Sequence, residues 1–198
     1  MTILIVGAGG NGHTYFMNFL KENGLKTNNK DDEDGLKHLN YPDENKIKEI
    51  NAEKCIFIYN NPFLSILSHF NRKWQFCQIQ KLGNPYKLKI NQVENLDNFL
   101  KLTEQHKCDI FGIKFQFDNW IINNLKIPVL FLDFNDILKE KDKINKFIGK
   151  DLNYNKFTIK ERKSVITYKY KTIYDKIYSD LYNYIKIKSV DYNNNNII

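Results

Sequence analysis

The sequence predicts an α/β fold in three layers, with a mostly parallel sheet flanked by helices and a C-terminal helix after it. A short β-branched run, residues 3–6 (ILIV), passes through a glycine cluster directly into an amphipathic pattern. Two further continuous apolar runs, residues 54–59 and 128–133, have the length of strands buried on both faces. Helical patterns lie between and after these runs, which is the alternation typical of a parallel sheet.

The composition excludes some classes of function. The chain has 198 residues and a net charge of +7, but only Arg72 and Arg162 are arginines. Lys, Asn, Ile and Tyr are abundant together, as an AT-rich coding sequence would produce, so we predict no nucleic-acid partner. The diffuse positive field still favours an anionic ligand.

Membrane and secretion signals are not expected. No window is apolar enough for a membrane span, and residues 3–6 are too short for the apolar part of a signal peptide. The cysteines Cys55, Cys77 and Cys108 are widely spaced and form no C-x-x-C pair. We therefore predict a cytoplasmic protein with free thiols.

The glycine cluster at residues 7–14 fits two phosphate-binding templates. Gly7, Gly9 and Gly12 match the dinucleotide pattern G-x-G-x-x-G. Gly7, Gly12 and Thr14 match the P-loop pattern G-x-x-x-x-G-K-[ST], with His13 at the lysine position. Either template directs backbone N–H groups and a helix N-terminus at a phosphate.

The segment after the first helix separates the templates. A helix is predicted over residues 12–23, with Gly24 ending it. A dinucleotide fold needs a second strand there, ending in an acid near the ribose. Residues 26–34 offer acids but are polar throughout, so we predict a loop, which disfavours the dinucleotide template.

The remaining elements follow from periodicity and turn residues. Other helices are predicted over 43–52, over 62–81 with Pro62 in the first turn, over 93–106, and from a cap at Asn135 or Asp136 to Gly149. Residues 109–125 are compatible with a strand at Ile113, Phe115 and Phe117 or with a helix around Trp120. Both alternatives stay open.

The C-terminal part differs in character. Tyr170, Tyr174, Tyr178 and Tyr182 recur at every fourth position, which predicts a long helix over 160–188 whose tyrosines pack on the core. We predict an α/β core at 1–152, a helical extension packed on it at 153–190, and a disordered tail at 191–198.

Ligands of parallel sheets bind beyond the carboxyl ends of the strands, so polar residues there form the candidate site. The candidates are His13, Thr14, His38, Asn60, Ser68 and Asp133. All the candidates except His38 and Ser68 lie on or just after a predicted strand end.

Three segments carry a family resemblance. Residues 36–42 (LKHLNYP) and 55–70 (CIFIYNNPFLSILSHF) resemble the central region of P-loop sulfotransferases. Residues 127–137 with 144–150 are similar to that family's strand, acidic turn and Phe-Leu-Gly helix. The resemblance spans about residues 3–152 with gaps. It implies a P-loop-type fold and transfer of a sulfuryl group from 3′-phosphoadenosine 5′-phosphosulfate (PAPS) to a hydroxyl or amine.

The resemblance also implies residue roles. His38 falls on the general base, and Ser68 falls on a ligand of the 3′-phosphate. The 5′-phosphosulfate would be held by Gly9, Gly10, Asn11, Gly12, His13 and Thr14. The family's loop lysine falls on Gly10 and its 3′-phosphate arginine on Asn60, so His13 is expected to supply part of the missing positive charge, as a second catalytic residue. No metal is implied.

Two other functions remain open. A kinase or phosphotransferase would use residues 7–14 as a P-loop and Asp133 as a Mg²⁺ ligand. A catalytically inactive nucleotide-fold module would use the tyrosine-rich helix as a partner surface. If the protein is an enzyme of the sulfotransferase type, its acceptor is a carbohydrate, a small alcohol or a protein, among which the sequence does not distinguish.

Overall fold

The computed structural model describes residues 1–83, 85–123, 125–159 and 168–196. Within these ranges the strands are β1 (Thr2–Val6), β2 (Lys26–Thr27), β3 (Lys54–Tyr59) and β4 (Val129–Asp133). They form one sheet in the order β2-β1-β3-β4, and every neighbouring pair is parallel. The predicted α/β class with a parallel sheet is confirmed.

Helices cover the sheet. The described helices are α1 (His13–Glu22), α2 (Glu44–Glu49), α3 (Pro62–Asn71), α4 (Gln75–Lys81), α5 (Leu96–His106), α6 (Ile113–Ile122), α7 (Lys141–Ile148), α8 (Tyr168–Ile173) and α9 (Ser179–Asn196), with 3-10 turns at Ile90–Gln92 and Phe134–Asp136 and a π-helical turn at Tyr174–Tyr178. None of them, within those ranges, combines the length and the apolarity that crossing a membrane requires.

The strand side chains alternate between two apolar layers. Leu4 and Val6 belong to a cluster with residues of α3, α5, α6 and α9, whereas Ile3 and Ile5 belong to a cluster with α1 and α7. Because successive side chains of a strand point to opposite faces, a strand buried on both faces must be apolar throughout. Each buried Ile or Leu stabilises the fold by about 1.5–3 kcal/mol, so this sheet is the rigid base of the molecule.

The loop predicted over residues 26–34 is wrong in part, because β2 lies there. Thr2 pairs with Lys26 and Ile3 with Thr27. Asn28 then extends the pairing with its side chain: its Oδ1 accepts from Ile5 N (2.8 Å) and its Nδ2 donates to Ile5 O (3.1 Å). The strand has no apolar pattern because backbone and amide groups, not apolar side chains, make these contacts.

Two helix predictions need correction, and one open alternative is resolved. The helix predicted over 62–81 is broken between α3 and α4, where Lys73 has φ +59°. Asn135 and Asp136 do not cap α7, which begins at Lys141 and ends at Ile148 with the predicted Gly149 as its C-cap. The open segment 109–125 contains the helix α6, whose Gln116 and Trp120 both donate to the carbonyl oxygen of Leu39.

The tyrosine-rich helix packs on the core as predicted. Tyr178 is fully buried, and Tyr170 and Tyr182 donate to Asp97 and Asp133, while Tyr174 accepts from Asn61. The start of this predicted helix, residues 160–167, lies outside the described residues.

The disordered tail predicted from Asp191 is wrong over Asp191 to Asn196, where α9 continues. Asn193 is buried, accepts from Phe131 N (3.0 Å) and donates to Phe131 O (2.7 Å). An asparagine side chain thus completes the hydrogen bonding of β4 at its outer edge.

Candidate functional site

A cleft of about 640 Å³ lies beside the loop that joins β1 to α1. Its walls come from the glycine loop, from residues 30–38 and from the α3–α4 region. The residues that line the cleft include Gly9, Gly10, Gly12, His13, Thr14, His38, Ser68, Arg72, Trp74, Cys77, Gln78 and Lys81. The volume is in the range of small-molecule sites.

The underside of the glycine loop is packed against α3. Asn11 is buried, and its Oδ1 accepts from Ser65 Oγ. Gly10 has φ +83°, and a Cβ there would lie 3.1 Å from the carbonyl oxygen of Ser65. The position expected for a family lysine therefore has a left-handed backbone that disfavours a side chain, and its surroundings are tight. Asn11, expected to bind the cofactor, faces the protein instead.

The N-terminus of α1 faces the same cleft. Gly12 is its N-cap, no side chain caps it, and no acidic residue lies in its first turn. Thr14 lines the cleft from this turn. The first N–H groups of a helix have no partner within the helix and carry partial positive charge, so this end is suited to an anion.

His38 is held in a defined tautomer. Its Nδ1 lies 2.9 Å from the carbonyl oxygen of Gly7. Since a carbonyl only accepts, Nδ1 carries the hydrogen, and the neutral ring keeps a lone pair on Nε2. Burial above all, together with the nearby Lys37 and Lys81, lowers the pKa of His38 to about 4, although the Gly7 hydrogen bond and Asp32 act in the opposite direction. The ring is therefore neutral near pH 7.

His13 does not supply the expected positive charge. It is 3% exposed, and its ring lies edge-on to that of His38, with 5.7 Å between the centroids. Burial lowers the pKa of His13 well below its usual value, and His38 and Lys37 lower it further. Its Nε2 has no hydrogen-bond partner within the described residues. The residue is a neutral, buried neighbour of the loop.

Charged side chains around the cleft are mainly basic. The lining includes Lys30, Lys37, Arg72 and Lys81 against two acids, Asp31 and Asp32. Asp32 lies 2.5 Å from Lys81 Nζ. Ser68 and Arg72 lie one helical turn apart, and Arg72 Nε donates to Ser68 O (3.0 Å). This wall offers a hydroxyl and a guanidinium to a second anionic group.

Asn60 is not part of the cleft. Its Oδ1 accepts from Asn61 N (2.6 Å) and from Asn135 Nδ2 (2.8 Å), and only 4% of the residue is exposed. Of the predicted site residues, those that line the cleft are Gly9, Gly10, Gly12, His13, Thr14, His38 and Ser68. Asn11 and Asn60 serve the packing around it.

Asp133 lies at the end of β4 and is engaged by protein groups. Its Oδ2 accepts from Tyr182 Oη (2.5 Å) and lies 3.4 Å from Lys186 Nζ, and its Oδ1 accepts from Asn135 N (2.9 Å). These contacts use the carboxylate oxygens that a metal ion would need. No cluster of three His, Cys, Asp or Glu side chains suited to a metal occurs in the described part of the chain.

Sequence reasoning missed the wall formed around α4. Trp74, Cys77, Gln78 and Lys81 all line the cleft, at the spacing i, i+3, i+4 and i+7 of one helix face. The spacing is visible in the sequence, but the four residue types share no chemistry that would have marked it.

The fold and the cleft define an α/β protein with a glycine loop at the carboxyl end of its first strand. Comparisons of the chain with protein-family models, with curated proteins and with solved structures give no match. Function has therefore to be inferred from the cleft itself.

Proposed function

We propose that this protein binds PAPS at the glycine loop and transfers its sulfuryl group to a hydroxyl or amine acceptor. The observation that carries the proposal is the convergence of three separate segments on one cleft: the loop with Thr14, His38, and Ser68. His38 and Ser68 lie in two of the three segments that carry the sulfotransferase resemblance, residues 36–42 and 55–70. Convergence of a phosphate-type loop with a neutral imidazole is the arrangement that such a transfer requires.

The donor would be held at both of its anionic ends. The uncapped N-terminus of α1, with the Thr14 hydroxyl, suits the 5′-phosphosulfate. Ser68 and Arg72 on the facing wall suit the 3′-phosphate, and Arg72 thereby takes the role of the arginine missing at Asn60. The excess of basic over acidic lining residues favours this doubly anionic ligand.

His38 would act as the general base. The acceptor oxygen attacks the sulfur while its proton passes to Nε2 of His38, which holds a lone pair because Nδ1 donates to Gly7. The S–O bond to the 5′-phosphate breaks, and its electron pair leaves with 3′-phosphoadenosine 5′-phosphate (PAP). The rigid Gly7 contact fixes the ring before the acceptor arrives, which reduces the reorganisation that the reaction demands.

Ligand binding tests the proposal directly. In a thermal-shift comparison of PAP, ATP with Mg²⁺ and NAD, we expect PAP to stabilise most, by about 2.7 kcal/mol at one hundred times its Kd. Ser68→Ala should reduce this stabilisation. Cys77 gives an independent readout because it is exposed and lines the cleft, whereas Cys108 lies outside the lining. PAP should slow alkylation of Cys77 but not of Cys108. No stabilisation by millimolar PAP would overturn the proposal.

A second candidate, dinucleotide binding, is favoured by one observation. The strand β2 follows α1 and pairs beside β1, and Asp31 and Asp32 after it line the same cleft. An acid in this place is the usual partner of a ribose hydroxyl. Stabilisation by NAD above that by PAP would select this candidate. The kinase alternative is less well supported because Asp133 is already bound by Tyr182 and Lys186.

A further inference from the structure

The glycine loop offers a sulfuryl or phosphoryl group its backbone N–H groups and the Thr14 hydroxyl, but no side chain in the place of the family's lysine. A side chain at Gly10 is disfavoured, because the residue has φ +83° and a Cβ would lie 3.1 Å from the Ser65 carbonyl oxygen. His13 is neutral and buried. Any replacement for the lysine of related loops must therefore come from another element that reaches the loop.

Gln78 of α4 reaches it. Its Oε1 lies 2.8 Å from the place that a Cβ on Gly9 would take, so the amide lies directly against the loop. Gln78 also lines the cleft and is 5% exposed. A half-turn of the terminal amide exchanges its oxygen and nitrogen, which would turn N–H donors toward Gly9.

The Gln78 amide is incompletely satisfied. Its Nε2 is buried and has no hydrogen-bond partner within the described residues. Gln75, one turn earlier on the same helix, is also buried, but its Nε2 donates to the carbonyl oxygens of Val93 (3.1 Å) and Glu94 (3.2 Å), and the atom that it leaves without a partner is its acceptor Oε1. Gln78 therefore differs from Gln75 in leaving a buried donor unpaired beside the cleft, and an unpaired buried donor is costly.

We infer that Gln78 binds the anionic oxygens of the group held over the glycine loop, in the place of the missing lysine. The inference rests on the proposed function and adds to it a residue from a separate helix. Gln78 touches the ligand and offers a neutral donor, while Lys81 is engaged with Asp32 at the edge of the same face. A neutral amide binds the oxygens through well-aligned hydrogen bonds and adds no positive charge to the site.

Three variants test this assignment by calorimetry with PAP and, for comparison, adenosine 3′-phosphate, which lacks the 5′-phosphate. Gln78→Leu should weaken PAP binding about tenfold to a hundredfold, the size of a lost hydrogen bond to a charged group. It should leave adenosine 3′-phosphate affinity unchanged. Gln78→Glu should weaken PAP further, because its carboxylate repels the ligand. Gln75→Leu is the matched control, which should lower thermal stability but keep both affinities.

The outcomes separate the inference from the proposed function. Wild-type protein that fails to bind PAP overturns the PAPS assignment and the role of Gln78 with it. Wild-type protein that binds PAP, with Gln78→Leu binding equally tightly, overturns the role of Gln78 alone. Equal losses for PAP and adenosine 3′-phosphate also overturn it, because the effect would then lie in the shape of the cleft rather than at the loop.

Discussion

The turns after β1 and β4 leave the same edge of the parallel sheet, and both carry residues typical of nucleotide sites, yet their polar groups are used differently. The turn after β4 has a fully engaged acid, Asp133, with bonds to Tyr182, Lys186 and Asn135. The turn after β1 borders a cleft in which His13 and Gln78 have buried nitrogens without partners among the described residues. The polar groups of one turn are used within the fold, whereas the other turn borders an open cleft.

The C-terminal helix explains the difference. Tyr182 and Lys186 of α9 reach Asp133, and Asn193 of the same helix pairs with the backbone of Phe131 on β4. The glycine loop is fixed from below instead, through the Asn11–Ser65 contact and through Phe134, whose ring excludes any side chain at Gly12. Packing on one side leaves the outer face of the loop to the cleft. The same strand edge therefore carries one turn covered by the C-terminal helix and one turn that borders a cleft.

The largest expected effect concerns the cleft beside the turn after β1. His38→Gln should lower the rate of sulfuryl transfer about 10²- to 10⁴-fold, the usual contribution of a general base. The substituted amide can still donate to the Gly7 carbonyl, so the fold should be kept. PAP release from PAPS, with a phenol, a sugar and an amine as probe acceptors, measures the rate.

His106→Gln serves as the matched control, because His106 lies on the exposed end of α5 and outside the cleft lining. Its rate should equal that of the wild type. If His38→Gln keeps the turnover of the wild type, His38 is not the general base. The cleft beside the turn after β1 would then bind the donor without His38 taking part in the reaction.

The next effect is on the structural side. Asp133→Ala should lower the free energy of unfolding by about 2–3 kcal/mol, because Tyr182 and Lys186 lose the acceptor they share. PAP affinity should be unchanged. Urea denaturation measures the first quantity and calorimetry the second.

Asp136→Ala is the control within the same turn. Asp136 pairs with Lys139, which is 79% exposed, and such surface pairs contribute about 0–1 kcal/mol. If Asp133→Ala loses nucleotide binding while its stability is unchanged, Asp133 is a ligand-binding residue rather than a structural one. That result would favour the kinase alternative.

The sequence predicted the elements whose information is local. The buried strands β1, β3 and β4 are continuous apolar runs, and the glycine spacing marked the loop before α1. The strand β2 was missed because its contacts come from backbone and from Asn28, neither of which produces an apolar pattern. Asn193 was assigned to a disordered tail for a similar reason, since its amide matches Phe131, which is remote in sequence.

The candidate site was predictable in its loop but not in its second wall. His38 and Ser68 lie away from the predicted strand ends and were identified through the family resemblance, and both line the cleft. Asn60 was not separable from them, because only folding decides that its amide bonds to Asn135. No sequence pattern marked Gln78, because its contact with Gly9 and its unpaired amide nitrogen exist only in the folded structure.

The smallest of these effects is the pH dependence of stability, which tests the environment of His38. Burial lowers the pKa of His38 from 6.5 to about 4 in the folded protein, so the unfolded chain binds its proton first as pH falls. The contribution of His38 should be complete at about pH 7.5 and should decrease by about 2 kcal/mol between pH 7.5 and 5, and the buried His13, whose pKa is also lowered, should add to the decrease. In urea titrations at a series of pH values, the free energy of unfolding should depend less on pH in His38→Gln than in the wild type. In His106→Gln the dependence should be that of the wild type. If the pH dependence of stability is unchanged in His38→Gln, the imidazole is solvated in the folded state. His38 would then not be the buried neutral base that the comparison of the two turns assumes.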